Sequence, residues 1–333
     1  MVELTSPMRL LAVAPNPSVD RLLEVEGLQV GAIHRPAAVT VVAGGKGFNV
    51  ARVASSLGAA VTAIGLLGGH AGRWIADSLA ADGIVVAAVW RTAETRTCTS
   101  ILDRTDGTTT EVYEAGPPLG DGEWSRLVEA VSMNLAGAGS GLLTVSGSLP
   151  RGAPDDGLAQ IIDAARSTGR RVAIDGHGVA LVNALRARPW LVKVNLDEAH
   201  AALNLSSSAG AAPDEARDRT TARLQAAAAV RGLLEAGADR AIVTTGASGS
   251  FAALEDGSLI EVRPPLCGRY AVGSGDAFLA GLAVIILRGG DLRSGVIHGT
   301  AAAAANSLVP GAGRLDLPTV QRLTGDVSVE TIE

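Results

Sequence analysis

Aromatic side chains are scarce in this chain. Phe, Trp and Tyr make up 3 % of its 333 residues, so the core has to be built from Ala, Val, Leu and Ile. Cysteine is scarcer still, with Cys98 and Cys267 alone. Two thiols exclude a disulfide scaffold and a cysteine-based zinc site, and they fit a reducing cytoplasm. Basic residues are outnumbered, 28 Lys and Arg against 34 Asp and Glu, for a net charge of −6. That balance argues against a general nucleic-acid binder. No apolar run approaches the ~18–20 residues of a membrane helix, so no membrane partner is expected. The first twenty residues include Glu3, Pro7, Arg9, Pro15, Pro17 and Asp20, and no secretory leader is expected. The five histidines, His34, His70, His177, His200 and His298, form no HxxxH pair. A GxSxG elbow, a GxxxxGK[ST] loop and a strict GxGxxG are also missing, which disfavours several common enzyme classes.

What is present is a regular alternation of periods. Arg9–Ala14 is a short apolar run stopped by Pro15 and Pro17, and predicts a buried strand. Val50, Val53, Ala54 and Leu57 fall at i, i+3, i+4 and i+7, one face of a helix that Gly58 ends. Residues 61–68 then predict a strand and 71–81 a helix closed by Asp82-Gly83. Helices at 122–136, 155–167, 178–186 and 215–236 alternate with strands at 141–147, 170–175, 191–195 and 240–246. A hairpin turns at Asp256-Gly257, and helices follow near 276–288 and 293–307. Alternating βα units predict a mostly parallel sheet with helices on both faces. Two β-rich stretches, 19–42 and 96–114, interrupt that order. The second turns at Asp106-Gly107, and together they predict a small separate sheet.

Four glycine-rich or acidic segments could carry chemistry. In Gly273-Ser274-Gly275-Asp276 two glycines flank a small residue before a helix, an arrangement that turns backbone N–H groups toward an anion. Asp276 could take a proton there, or simply cap the helix. Gly44-Gly45-Lys46-Gly47-Phe48-Asn49 offers a close backbone approach, a charge and an amide, or an ordinary strand-to-helix turn. Lys193-Val194-Asn195-Leu196-Asp197-Glu198 ends a strand. Glu198 could hold Mg²⁺, or the acids could merely suit a helix's first turn. Thr244-Thr245-Gly246-Ala247-Ser248-Gly249 is another small-residue strand end, by itself no more than a turn.

Taken together and in order, NPSVD (16–20), GGKGFNVARVASSLGA (44–59), Thr95-Arg96, SGSLPRG (146–152), KVNLDE (193–198), TTGASG (244–249) and VGSGDAFLAG (272–281) resemble the PfkB-type, ribokinase-like carbohydrate kinases. The resemblance runs from about residue 9 to 315. It is strongest toward the phosphosugar kinases, the subgroup of 1-phosphofructokinase and tagatose-6-phosphate kinase. It implies one kinase domain over residues 1–333, a three-layer α/β/α fold with a β-sheet lid formed by about 19–42 and 96–114. It implies transfer of the ATP γ-phosphate to a sugar hydroxyl with Mg²⁺, and a homodimer joined through the lid.

By the same resemblance, Asp276 matches the catalytic base, and Gly273, Ser274 and Gly275 the anion hole. Asp20, Gly45, Lys46 and Asn49 match sugar-binding positions, and Arg96 the residue that holds the substrate's existing phosphate. Lys193, Asn195 and Glu198 match the segment near the ATP phosphates and metal. Thr245, Gly246 and Gly249 match the nucleotide loop, and Asn306 a place beside adenine. Four positions depart from the family pattern: Val194 replaces a proline, Ser274 an alanine, Phe48 an aliphatic residue and His177 a small hydroxyl residue. A kinase of an unphosphorylated sugar or nucleoside, and an idle sugar-phosphate sensor, are the alternatives. The first has no use for Arg96 and Lys46, and the second none for a base at 276.

Overall fold

The computed structural model describes residues 9–137, 140–205 and 215–332, so residues 1–8 of the first twenty, read above for a leader, lie outside it. The chain opens with β1 (Arg9–Ala14), β2 (Ser18–Val25), β3 (Ala38–Gly44), α1 (Lys46–Ser56), β4 (Ala60–Gly68), α2 (Gly69–Ala81) and β5 (Val85–Arg91). A hairpin of β6 (Arg96–Asp103) and β7 (Thr109–Tyr113) follows. Then come α3 (Glu123–Ala136), β8 (Ser140–Ser146), α4 (Gly157–Arg166), β9 (Arg171–Asp175), α5 (Gly178–Arg186), β10 (Leu191–Asn195), α6 (Leu196–Leu203), α7 (Glu215–Glu235) and β11 (Ala241–Thr244). After the short turn Gly246–Ser248 the chain closes with β12 (Ser250–Ala253), β13 (Leu259–Arg263), α8 (Ser274–Leu287), α9 (Leu292–Asn306), α10 (Leu317–Thr324) and β14 (Ser328–Ile332).

Among the described residues, ten strands form one sheet in the order β14-β13-β12-β11-β10-β9-β8-β1-β4-β5. The stretch from β11 to β5 is parallel, and β12, β13 and β14 extend it antiparallel. One apolar core, with α1, α2, α8, α9 and α10, covers one face; a second, with α3 to α7, covers the other. This is the expected three-layer α/β/α arrangement. The interrupting stretches form the expected second sheet, ordered β3-β2-β6-β7.

The scarcity of aromatics shows in the packing, where Phe48 is the single aromatic among the largest fully buried side chains. It fits because Gly65 lies opposite, where a β-carbon would meet the Phe48 ring at 2.7 Å. Truncating a buried Phe typically costs about 3–5 kcal/mol. Helix α8 is apolar on every side and almost wholly buried between the sheet and α9. Its first turn is therefore held firmly over the central strands β1 and β8.

Several boundaries move. The first helix begins at Lys46, one turn ahead of the apolar face that opens at Val50, and α8 begins at Ser274 rather than 276. Strand β5, helix α10 and strand β14 have no counterpart in the sequence reading, and of helix α6 only a first turn at the acids was offered there. The acids of 197–198 do open a helix, α6, with Asn195 and Glu198 forming a reciprocal capping box.

Candidate active site

A cleft of about 680 Å³ opens outside the carboxyl ends of β1, β8, β9, β10 and β11 and beneath the smaller sheet. That is the usual ligand position in a parallel α/β sheet, and the volume suits small molecules.

Asp276 forms its floor. It lies in the first turn of α8, after Gly273, rather than at the cap. Gly273 has φ +83°, and a β-carbon there would meet Ala312 and Gly313 at 2.8 Å. The Ser274 N–H closes the turn onto the Ala271 carbonyl at 3.1 Å, and the Ala277 N–H bonds Gly273 at 2.9 Å. Of the first-turn donors, this leaves the Gly275 and Asp276 N–H groups without a backbone partner among the described residues. The open end of the nest is thus one residue later than the sequence places it, and the helix dipole reinforces it. Ser274 instead accepts from Asn306 Nδ2 at 3.3 Å.

The Asp276 carboxyl accepts from Asn49 Nδ2 at 2.8 Å. Burial, and then the negative charge of Asp175, push its pKa up to about 7 against the pull of Lys46, Asn49 and Lys193. A carboxylate poised near neutrality suits a general base.

Asp175, at the end of β9, is the residue sequence reasoning missed. Its two oxygens each take an ammonium, Lys46 Nζ at 2.7 Å and Lys193 Nζ at 2.6 Å. Burial alone would raise its pKa; the two lysines outweigh it and hold the carboxyl well below the usual range. Asp175 in turn raises the Lys46 pKa, against burial. Lys46 also reaches Glu198 Oε1 at 3.4 Å, so its charge sits with the carboxylates and not beside Arg96 as a second sugar-phosphate cation. The only local hint of Asp175 was its place at a parallel strand's carboxyl end, in the segment singled out for His177. His177 itself caps α5 and is an exposed wall residue of the cleft.

Glu198 lines the cleft while its Oε2 accepts from the Asn195 N–H at 2.9 Å. No cluster of three or more ligating side chains occurs among the described residues. Glu198 does face the cleft with a hard-oxygen carboxylate, whereas both oxygens of Asp175 are taken by ammonium groups. A single carboxylate fits Mg²⁺, which commonly takes one or two and completes its shell with water and substrate phosphates.

Toward the smaller sheet, Asp20 is half-buried, accepting from Ser18 Oγ at 2.6 Å and from the Gly45 N–H at 3.3 Å. Burial raises its pKa. Arg96 donates through Nη1 to Glu114 O and through Nη2 to Asn16 O, both at 3.0 Å. Its buried Nε has no partner.

At the other end Gly246 and Gly249 line the cleft with Ala247 and Leu266. Thr245 does not, and its hydroxyl bonds Gly249 O at 3.1 Å within its own loop. Asn306, expected beside adenine, is fully buried and is not part of the wall. Its amide donates to Val272 O at 3.0 Å and accepts from the Gly313 N–H at 2.9 Å and the Arg314 N–H at 3.3 Å. With Ser274 that fills its capacity, so it ties the Gly273–Gly275 loop to 313–314 rather than facing a ligand.

A buried carboxyl at the open N-terminus of a helix, with paired lysines and carboxylates beside it, suits phosphoryl transfer to an alcohol. A model of the pfkB family of carbohydrate kinases matches residues 14–320, and the chain belongs to that family, within its phosphosugar kinase branch. It is 32 % identical over 287 residues to a 1-phosphofructokinase of Xanthomonas campestris, covering 84 % of this chain and 85 % of that one. Phosphofructokinase-2 of Escherichia coli, in a crystal structure with fructose-6-phosphate, is similar at 28 % identity and a TM-score of 0.79, covering 96 % and 98 % of the two chains. A possible 1-phosphofructokinase of Thermotoga maritima shares the fold, with a TM-score of 0.83 at 23 % identity over 98 % of this chain and all of that one. Among the described residues no helix is long and apolar enough to cross a membrane.

Proposed function

We propose that the protein transfers the γ-phosphoryl group of ATP to a phosphorylated ketohexose, fructose-1-phosphate giving fructose 1,6-bisphosphate. Tagatose-6-phosphate and fructose-6-phosphate are its nearest competitors. The observation that carries the reading is Asp276: buried, held by Asn49, at the open end of a helix, with a pKa of about 7.

In this reading Asp276 accepts the proton of the acceptor hydroxyl as its oxygen bonds the γ-phosphorus and ADP leaves. The Gly275 and Asp276 N–H groups and Lys193 stabilise the charge on the transferring group. Glu198 would hold Mg²⁺, which supplies charge neutralisation on the ATP phosphates when bound. Gly246 and Gly249 face the nucleotide. Asp20 reads sugar hydroxyls, and Arg96 takes the existing phosphate. Two backbone carbonyls fix the plane of its guanidinium fork, and an unpartnered buried Nε–H suits an anion. The smaller sheet acts as a lid that excludes water. Its edge strands β3 and β7 leave Val39, Val41 and Val112 exposed, which supports a homodimer through this sheet.

The test is ADP release from ATP-Mg²⁺ with each of the three sugar phosphates, with ribose and adenosine as controls. Highest kcat/KM with fructose-1-phosphate is expected. Preference for ribose or adenosine, or tight sugar-phosphate binding without turnover, contradicts the reading.

A further inference from the structure

Arg52 belongs to none of the groups assigned above, yet it is 8 % exposed and its guanidinium meets four acceptors. Its Nε donates to Asp82 Oδ2 at 3.2 Å. Nη1 donates to Asn49 Oδ1 and to Ala312 O, both at 3.3 Å, and Nη2 donates to Ala43 O at the end of β3. Asn49 and Arg52 are three residues apart on α1 and therefore share a face.

We propose that Arg52 is a positioning residue for phosphoryl transfer, fixing the Asn49 amide in the one orientation that donates to Asp276. The inference rests on the reading of Asp276 as the base. A guanidinium has donors only, so the Asn49 face toward it has to be the oxygen. The Asn49 nitrogen then faces Asp276 Oδ2 at 2.8 Å. A flipped amide would set its NH₂ against Arg52 and its oxygen against a carboxylate, two repulsive contacts in a buried place. Asp276 selects the same orientation while ionised, and Arg52 keeps selecting it when the carboxyl is protonated and can itself donate.

The same guanidinium reaches the anion nest. Ala312, which accepts from Nη1, packs on Gly273 so closely that a β-carbon there would stand 2.8 Å from the Ala312 Cα. Base and nest are thereby referred to one rigid group. A lysine at 52 keeps the charge but cannot address four acceptors in a plane.

The test is a double-mutant cycle of Arg52→Met and Asn49→Ala, with ATP and the best sugar phosphate. Arg52→Met should lower kcat by about 10–100-fold, less than the ~10²–10⁴-fold loss of a general base itself. The KM for ATP should stay within about twofold, and Arg52→Lys should recover part of kcat. The double variant should be slower than Asn49→Ala by much less than the Arg52→Met loss, because Arg52 acts chiefly through that residue. A second readout does not need turnover. The Asn49 side-chain ¹H–¹⁵N pair, assigned by its loss in Asn49→Ala, should move in Arg52→Met as it does in Asp276→Ala. Additive losses in kcat, or an Asn49 amide signal unmoved by Arg52→Met, overturn the proposal. If wild-type protein phosphorylates no sugar, the proposed function fails while the amide signal still decides this one. If Arg52→Met does not fold, Arg52→Lys carries both readouts, with intermediate values expected and unchanged values contradicting.

Discussion

The Lys193 ammonium stands 2.8 Å from the point a β-carbon on Gly275 would occupy. The glycine lets a cation held by Asp175 lie directly under the N-terminus of α8. Gly275→Ala should fold, since the atom it meets is the far end of a flexible side chain. It should nevertheless displace the ammonium and crowd the transferring group. A kcat loss of about 10²-fold, the scale of removing one oxyanion donor, with a melting temperature within a few degrees of wild type, is expected from steady-state kinetics and thermal denaturation.

Asn306 distinguishes a ligand contact from a loop tie. If it met adenine, Asn306→Ala would raise the KM for ATP and spare stability. Its saturated, buried amide instead predicts a stability loss of about 1–3 kcal/mol from unsatisfied donors and acceptors, together with a fall in kcat. Chemical denaturation and kinetics on the same variant check both.

In the proposed function Arg96 is the cation that meets the sugar phosphate, because Lys46 is engaged by Asp175 and Glu198. Arg96→Ala should raise the KM for the sugar phosphate at least tenfold, about 1.4 kcal/mol, and leave the KM for ATP within about twofold. Arg96→Lys should restore part, since a point charge replaces the fork. An unchanged sugar-phosphate KM would return the arginine to a solvated role.

The pH dependence follows from Asp276, which faces Asp175, Lys46 and Lys193. Its carboxyl is competent when deprotonated, and its pKa is raised to about 7 by burial and by Asp175. The kcat/KM for the sugar phosphate should therefore be flat above that pH and fall about tenfold per unit below it. A profile flat down to pH 5 contradicts the assignment.

Much of this was legible in the sequence, for local reasons. The 3.6 and 2 periods marked the βα units, and the glycine-rich segments at 44–47 and 273–275 marked two walls of the cleft. Strand β5 escaped because VVAAVWR is an edge strand with mixed burial and no alternation. Helix α6 escaped because its capping acids read equally well as ligands. Asp175 is joined to Lys46 across 129 residues and to Lys193 across 18, and Arg52 reaches Ala312 across 260. Pairings that long leave no trace in local pattern. Asn306 was placed beside the nucleotide by resemblance, and only the packing of 313–314 shows where its amide goes.

The most direct test is turnover of Asp276→Asn with fructose-1-phosphate and ATP-Mg²⁺. The change keeps the shape and the bond from Asn49 while removing the base. The native carboxyl has a pKa above its unfolded value, so it contributes stability while protonated and loses it as pH rises through about 7. At pH 8 the variant should therefore melt no lower than wild type. Its kcat should fall by about 10²–10⁴-fold with both KM values little changed. A folded Asp276→Asn protein that turns over at near the wild-type rate would contradict the account at its centre.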